Sequence, residues 1–248
     1  MLPFFLELFA GCAALSRSMA RCGIMSLAID IRFGRGHDLT SPKLLAAIRG
    51  WIAAGWILGL HLAPPCNSWS RARCMPGGPP MLRTAGAVLG LLGLAAHDLE
   101  KVRLGNATMR ATVSIAAACI AQRVPFCVEN PATSFLWLAP SMQWLARRQG
   151  VQLSRTDFCA FGTPWRKRTS LLHFGLDASQ FVRVCHRRGG LCEFSHKPHQ
   201  ILSGQCSTGT FWTKVAEAYP ASFASSLASA FRRADQHRCG EHFWKIAQ

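Results

Sequence analysis

The chain opens on an alternation that few folds can satisfy. Phe4 to Phe9 is an apolar run with β character, and Ala10-Gly11-Cys12-Ala13 is a turn of small residues. Ala14 to Arg21 reads as a helix ended by Cys22-Gly23, and Met25 to Ile31 is a second apolar run that closes on Asp30. Strand, small-residue turn, helix, strand is a βαβ unit, and it predicts parallel strands buried on both faces. The alternation continues. Ser41 to Ala54 reads as a helix started by Ser41-Pro42, and Leu58 to Leu62 as a strand running into Ala63-Pro64-Pro65-Cys66.

From Cys66 to Pro80 the chain is rich in Pro, Gly, Ser and Arg and reads as a loop. Met81 to Val102 and Ala107 to Gln122 read as two long helices, and Pro125 to Val128 as a strand ending on Glu129-Asn130-Pro131. Val151 to Phe158 and Ser170 to Phe174 read as strands flanking a basic loop from Gly162 to Thr169. Tyr219-Pro220 precedes a helix from Ala221 to Arg233, and the polar tail beyond is expected to fray. The fold class expected is α/β: a Rossmann-like, mostly parallel sheet with helices on both faces, plus a small irregular Cys/His-rich segment. Residues 1–180 would form the catalytic domain and 181–212 the irregular segment. Residues 213–233 would form a helix packed back on the domain, and 234–248 a tail.

Charge narrows the partners. The 248 residues carry 28 Lys and Arg against 12 Asp and Glu, a net +16, which points to a polyanion. Charge does not separate DNA from RNA. The 11 cysteines are an odd number, and the apolar stretch from Leu2 to Leu15 lacks a basic start and contains Glu7, so no secretory signal is read. Cysteines in a reducing, intracellular compartment are thiols, ligands or core residues; in a eukaryote the nucleus is the expected place. The longest apolar run, Ala85 to Ala96, is shorter than the roughly 20 residues a bilayer requires, so no membrane partner is expected. A monomer is expected.

The unusual residues collect at strand ends, where ligands bind in parallel α/β sheets. A small-residue turn lets a cofactor approach the backbone, and an acid ending the next strand can accept from ribose hydroxyls; Phe9, Gly11 and Asp30 fit these roles. Two prolines stiffen the backbone before Cys66, and Arg71, Arg73 and Arg83 follow, so positive charge is expected to favour its thiolate. Glu129, ending an apolar strand, is expected to have a raised pKa and to act as a donor when protonated. Arg166-Lys167-Arg168 can hold a phosphate or a base carbonyl. Each motif alone has an ordinary structural reading: a packing glycine, a structural thiol, a turn, a solvated charge run.

Their order is more specific. Phe9-Ala10-Gly11, Pro64-Pro65-Cys66 with Ser70, Glu129-Asn130, Phe161-Gly162-Thr163-Pro164-Trp165-Arg166 and the helix after Tyr219-Pro220 together resemble the cytosine-C5 DNA methyltransferase family. The chain departs from its pattern at Ala13, Pro131, Trp165 and Thr169, and the region that would read DNA sequence is short. The resemblance implies S-adenosylmethionine as cofactor and DNA as partner, with a cytosine flipped out of the duplex. It implies Cys66 as nucleophile, Glu129 on the ring nitrogen and amine, and Arg166 or Arg168 on the carbonyl. Phe9 would pack on the adenine, Asp30 hold the ribose, Asp38 contact the adenine amine and Pro65 line the cofactor site. Ser70, Arg71, Arg73, Arg83 and Lys167 would face nucleic acid. An inactive SAM- or nucleic-acid-binding module and an RNA cytosine methyltransferase share this reading of the fold. Separately, Cys185, Cys192, His196 and His199 offer the thiolates and imidazoles of a structural zinc site, with His186, Cys159 and Cys206 as rival ligands. A zinc-dependent nucleic-acid binder without catalysis would explain these and the charge, but not the βαβ opening.

Overall fold

The computed structural model describes residues 2–74 and 78–246. Its centre is a six-stranded sheet: β1 (Phe4–Leu8), β2 (Ser26–Ile29), β3 (Ile57–Leu62), β4 (Phe126–Pro131), β5 (Val151–Asp157) and β6 (Arg168–Phe174). The strand order is β2-β1-β3-β4-β6-β5. β1 to β4 pair in parallel, and β6 lies antiparallel between β4 and β5. The fold is therefore mixed α/β, as the alternation of runs predicts.

The helices are α1 (Ala14–Arg21), α2 (Pro42–Ala53), α3 (Ala96–Ala121), α4 (Pro140–Ala146), the single turn α5 (Trp212–Val215) and α6 (Ala221–Ile246). Side chains alternate across each strand. Phe4, Leu6 and Leu8 of β1 therefore join one core with Ile48, Ile52, Ile115, Met142 and Leu145 of α2 to α4. Phe5 joins the other, with Leu15 and Met19 of α1 and Phe223, Leu227 and Phe231 of α6. Gly59 in β3 is required by that second layer: a Cβ there would stand 2.6 Å from the Phe231 ring.

Two expectations change. Residues 81–95 form no helix, and one helix, α3, runs through the expected break at Gly105. Gly90 has φ 130°, which only glycine adopts at ease, so the helix cannot start before it. Gly105 is a contact point instead: a Cβ there would meet Ser68 Oγ at 2.3 Å and Arg83 Nη2 at 2.9 Å. The segment expected as a tail continues α6 to Ile246. By length and composition α3 could cross a bilayer, but Val102, Met109, Ile115 and Cys119 are buried in the protein.

Candidate active site

The connection from β1 to β2 runs one way along the sheet and that from β2 to β3 crosses back over β1, so the order reverses between β1 and β3. Crevices form at the carboxyl ends of strands at such a point. A cavity of about 660 Å³ opens there, lined by residues that follow β1, β2 and β3 and by the end of β4. Phe9, Gly11, Asp30, Asp38, Pro65, Cys66, Glu129 and Lys167 all line it.

The turn after β1 is held in a demanding backbone. Phe9, Gly11 and Ala13 have φ of 55°, 55° and 53°. A non-glycine residue in this left-handed region costs on the order of 1 kcal/mol or more, so the surroundings must enforce it. Asp30 does so in part. Its Oδ2 accepts from the Gly11 amide at 2.8 Å and its Oδ1 from the Arg32 amide at 2.9 Å. A carboxylate has about four acceptor positions, so Asp30 retains capacity toward the cavity. Asp38 accepts from the Thr40 amide at 2.8 Å and hydroxyl at 2.7 Å through a single oxygen.

Across the cavity, Asn130 at the end of β4 donates from Nδ2 to the Pro64 carbonyl at 2.8 Å, tying that strand to the Pro-Pro-Cys turn. Cys66 is half-buried. Burial pushes its thiol up, and the Glu129 carboxylate pushes it further; Lys167 opposes both. The arginines expected to favour the thiolate do other work. Arg83 is 1% exposed, stacks on the Trp69 ring at 3.4 Å and donates to Ser68, Val88, Val102 and Asn106. It is an internal strut of the loop after Cys66, not a phosphate ligand. Arg73 donates to the Asn67 and Pro80 carbonyls at 2.9 Å each and closes that loop. Arg71 is exposed beside Phe135, and the Ser70 hydroxyl accepts from the Ala72 amide at 3.2 Å.

Glu129 is 6% exposed. Burial raises its pKa, while Lys167 and a hydrogen bond from Tyr219 pull it down. Tyr219 donates to Glu129 Oε2 at 3.1 Å, and its oxygen lies 2.9 Å from His61 Nε2. Tyr219 has a single hydroxyl hydrogen, so His61 Nε2 carries the proton that the tyrosine accepts. Burial holds the His61 pKa down at about 3, which leaves the ring neutral. Glu129 Oε1 is buried and has no hydrogen-bond partner among the described residues. No sequence motif gives either Tyr219 or His61 a role in the site: Tyr219 is marked only as the residue before the last helix and as the sole tyrosine beside 15 Phe and 8 Trp.

The basic loop divides differently from expectation. Arg166 turns away, donating to Asp157 Oδ2 at 3.1 Å and to the Cys185 carbonyl. Arg168 is exposed at the start of β6 and does not line the cavity. Lys167 does, and its Nζ donates to the Ala216 carbonyl at 2.9 Å. Asp157 and the Cys185 carbonyl hold Arg166 on the far side, so only the middle cation of the run faces in. The Cys/His segment brings together Cys185, Cys192 and His199, but the fourth member is Cys159. His196 is exposed, with φ 55°.

No protein-family model matches the chain, and no curated protein matches it. A solved structure, of the Entamoeba histolytica methyltransferase EhMeth, is similar over 96% of this chain and 97% of that one, with 10% sequence identity and a TM-score of 0.39.

Proposed function

We propose that the protein transfers a methyl group to carbon 5 of cytosine in DNA through a covalent adduct on Cys66. One observation supports this above the others: Cys66 and a buried Glu129 with an unpartnered oxygen open on the same cavity as Phe9, Asp30 and Asp38. The cofactor side of the cavity suits S-adenosylmethionine. Phe9 offers an apolar face, Asp30 spare acceptor capacity for vicinal hydroxyls, Asp38 a carboxylate for an amine, and Pro65 a rigid wall. When bound, that cofactor supplies a methyl group activated by a positively charged sulfur.

The protein's own residues account for the remainder. The Cys66 thiolate forms a bond to ring carbon 6, and the displaced electron pair moves toward ring nitrogen 3. Glu129, whose pKa burial raises, gives a proton to that nitrogen. Carbon 5 then carries the nucleophilic pair and accepts the methyl group. Loss of the carbon-5 proton to water expels the Cys66 thiolate, and Glu129 recovers its proton. Lys167 takes the place at the base carbonyl that Arg166 and Arg168 do not reach, and it is the cation that lowers the Cys66 thiol. The charge of +16 supplies the attraction to DNA.

The test is methyl transfer from labelled S-adenosylmethionine to duplex DNA, with 5-methylcytosine identified by mass spectrometry. Cys66→Ala is expected to abolish transfer and Glu129→Gln to lower it by about 100-fold or more. Label that enters RNA alone, or transfer that survives Cys66→Ala, overturns the proposal.

A further inference from the structure

We propose that Cys159, Cys185, Cys192 and His199 bind a single zinc ion that holds the irregular segment against the end of β5. The donor atoms of these residues all lie within 4.8 Å of one another. A zinc–sulfur bond of about 2.3 Å and a zinc–nitrogen bond of about 2.0 Å give tetrahedral edges of about 3.5–3.8 Å. The separation of Cys185 Sγ from His199 Nε2 is 3.8 Å. Three thiolates and one imidazole are a common structural zinc set.

The surroundings point the same way. The three cysteines are 3%, 0% and 1% exposed, and they form a cluster of their own, apart from both apolar cores. Between residues 183 and 210 the chain forms no strand and only one short 3-10 turn, Arg188–Gly190. It has little apolar burial to order it, and a metal supplies ordering where a core cannot.

The backbone is dressed for charged sulfur. The Glu193 amide lies 3.5 Å from Cys185 Sγ, and the Cys185 amide donates to Asp157 Oδ2 at 2.8 Å. Asp157 is in turn paired with Arg166, so the ligand-bearing backbone is anchored by a buried second layer. The Cys192 amide donates to the Lys197 carbonyl at 2.8 Å and the His196 amide to the Cys192 carbonyl at 2.9 Å. This tight turn sends His196 outward and leaves His199 to reach the cluster. The site also explains why Arg166 faces away from the cavity: it belongs to the zinc scaffold, and Lys167, the next residue, is placed in the cavity by it.

The experiment uses the full chain purified under reducing conditions with zinc supplied. Metal is quantified by mass spectrometry, and cobalt is then substituted for its visible spectrum. The expected result is about one zinc per chain and the spectrum of tetrahedral, thiolate-rich cobalt. Cys159→Ala is expected to weaken zinc binding by at least tenfold, whereas His196→Ala leaves it unchanged. Since Cys159→Ala can also fail to fold, His199→Cys is the second variant. It is expected to retain about one zinc, with stronger thiolate charge transfer in the cobalt form. A chain that takes up no zinc, a disulfide among the three cysteines that persists under these reducing conditions, or loss of zinc on His196→Ala with retention on Cys159→Ala overturns the assignment.

Discussion

Replacing Tyr219 by phenylalanine removes one oxygen atom and no packing. That oxygen donates to Glu129 at 3.1 Å and accepts from His61 Nε2 at 2.9 Å. Both partners are buried, His61 completely, and water can reach only the side that lines the cavity. Leaving a buried polar group unpaired costs about 1–3 kcal/mol. With two groups affected, and some relaxation around the half-open cavity, the loss is expected to be about 2–4 kcal/mol. The ring contacts with Phe158 and Phe223, at centroid distances of 6.1 and 5.4 Å, are retained and do not offset it. Urea denaturation at neutral pH reads this loss as a lower midpoint with unchanged slope. A second effect is expected on Glu129, whose pKa the tyrosine lowers; without it the carboxyl is protonated to a higher pH. A stability loss under about 0.5 kcal/mol, the range of an ordinary surface substitution, would refute the picture of Tyr219 as the link between His61 and Glu129.

Arg83→Lys is expected to cost about 2–4 kcal/mol, because a single ammonium cannot satisfy the four residues that the guanidinium serves. The salt dependence of DNA binding by the folded variant is expected to be unchanged, while Arg71→Gln lowers the slope; the opposite pattern would restore Arg83 to the DNA surface. Lys167→Gln removes the cation that holds down both Cys66 and Glu129. Alkylation of the Cys66 peptide, followed by mass spectrometry, is expected to need a higher pH; an unshifted profile contradicts the assignment. His61, with a folded pKa of about 3 against an ordinary 6.5, contributes stability that is complete above pH 6.5 and is lost as pH falls toward 3. Glu7 and Glu129, raised by burial, act in the opposite sense as pH rises through their folded values. His61→Gln retains a donor for Tyr219 but not the titration. Wild type is therefore expected to lose about 1.4 kcal/mol per pH unit more than this variant below pH 6.5; parallel curves would rule this out.

The strand ends are legible in the sequence because short apolar runs stop abruptly at residues that do not belong in a core: Gly11, Asp30, Cys66, Glu129. Periodicity settles where a strand ends, and the α/β rule settles that such ends share one edge. Ala13 shows the limit of motif matching. It stands where the resembled family has a glycine, yet the backbone still takes the left-handed turn, with φ 53°. What the sequence conceals is direction. Nothing in Arg166-Lys167-Arg168 says which cation faces the cavity, since that depends on where β6 begins and on Asp157 at the end of the partner strand. Arg83 reads as one more cation of a basic loop, and only the close approach of Gly105 on α3 reveals it as buried. Tyr219 is far in sequence from the group it meets, 90 residues in the case of Glu129. Among the Cys and His residues, spacing alone favours His196 over Cys159, and only the fold, which turns His196 outward, brings Cys159 to the cluster.

In the proposed reaction Cys66 attacks cytosine in the cavity it shares with Glu129. The direct measurement is trapping with S-adenosylmethionine and duplex DNA that contains 5-fluorocytosine, where fluorine blocks loss of the carbon-5 substituent and Cys66 cannot leave. A protein–DNA adduct that survives denaturation, maps to the Cys66 peptide and disappears in Cys66→Ala is the predicted result. A chain that binds the cofactor yet forms no adduct with DNA of varied sequence, or forms one through another cysteine, rules out Cys66 as the nucleophile.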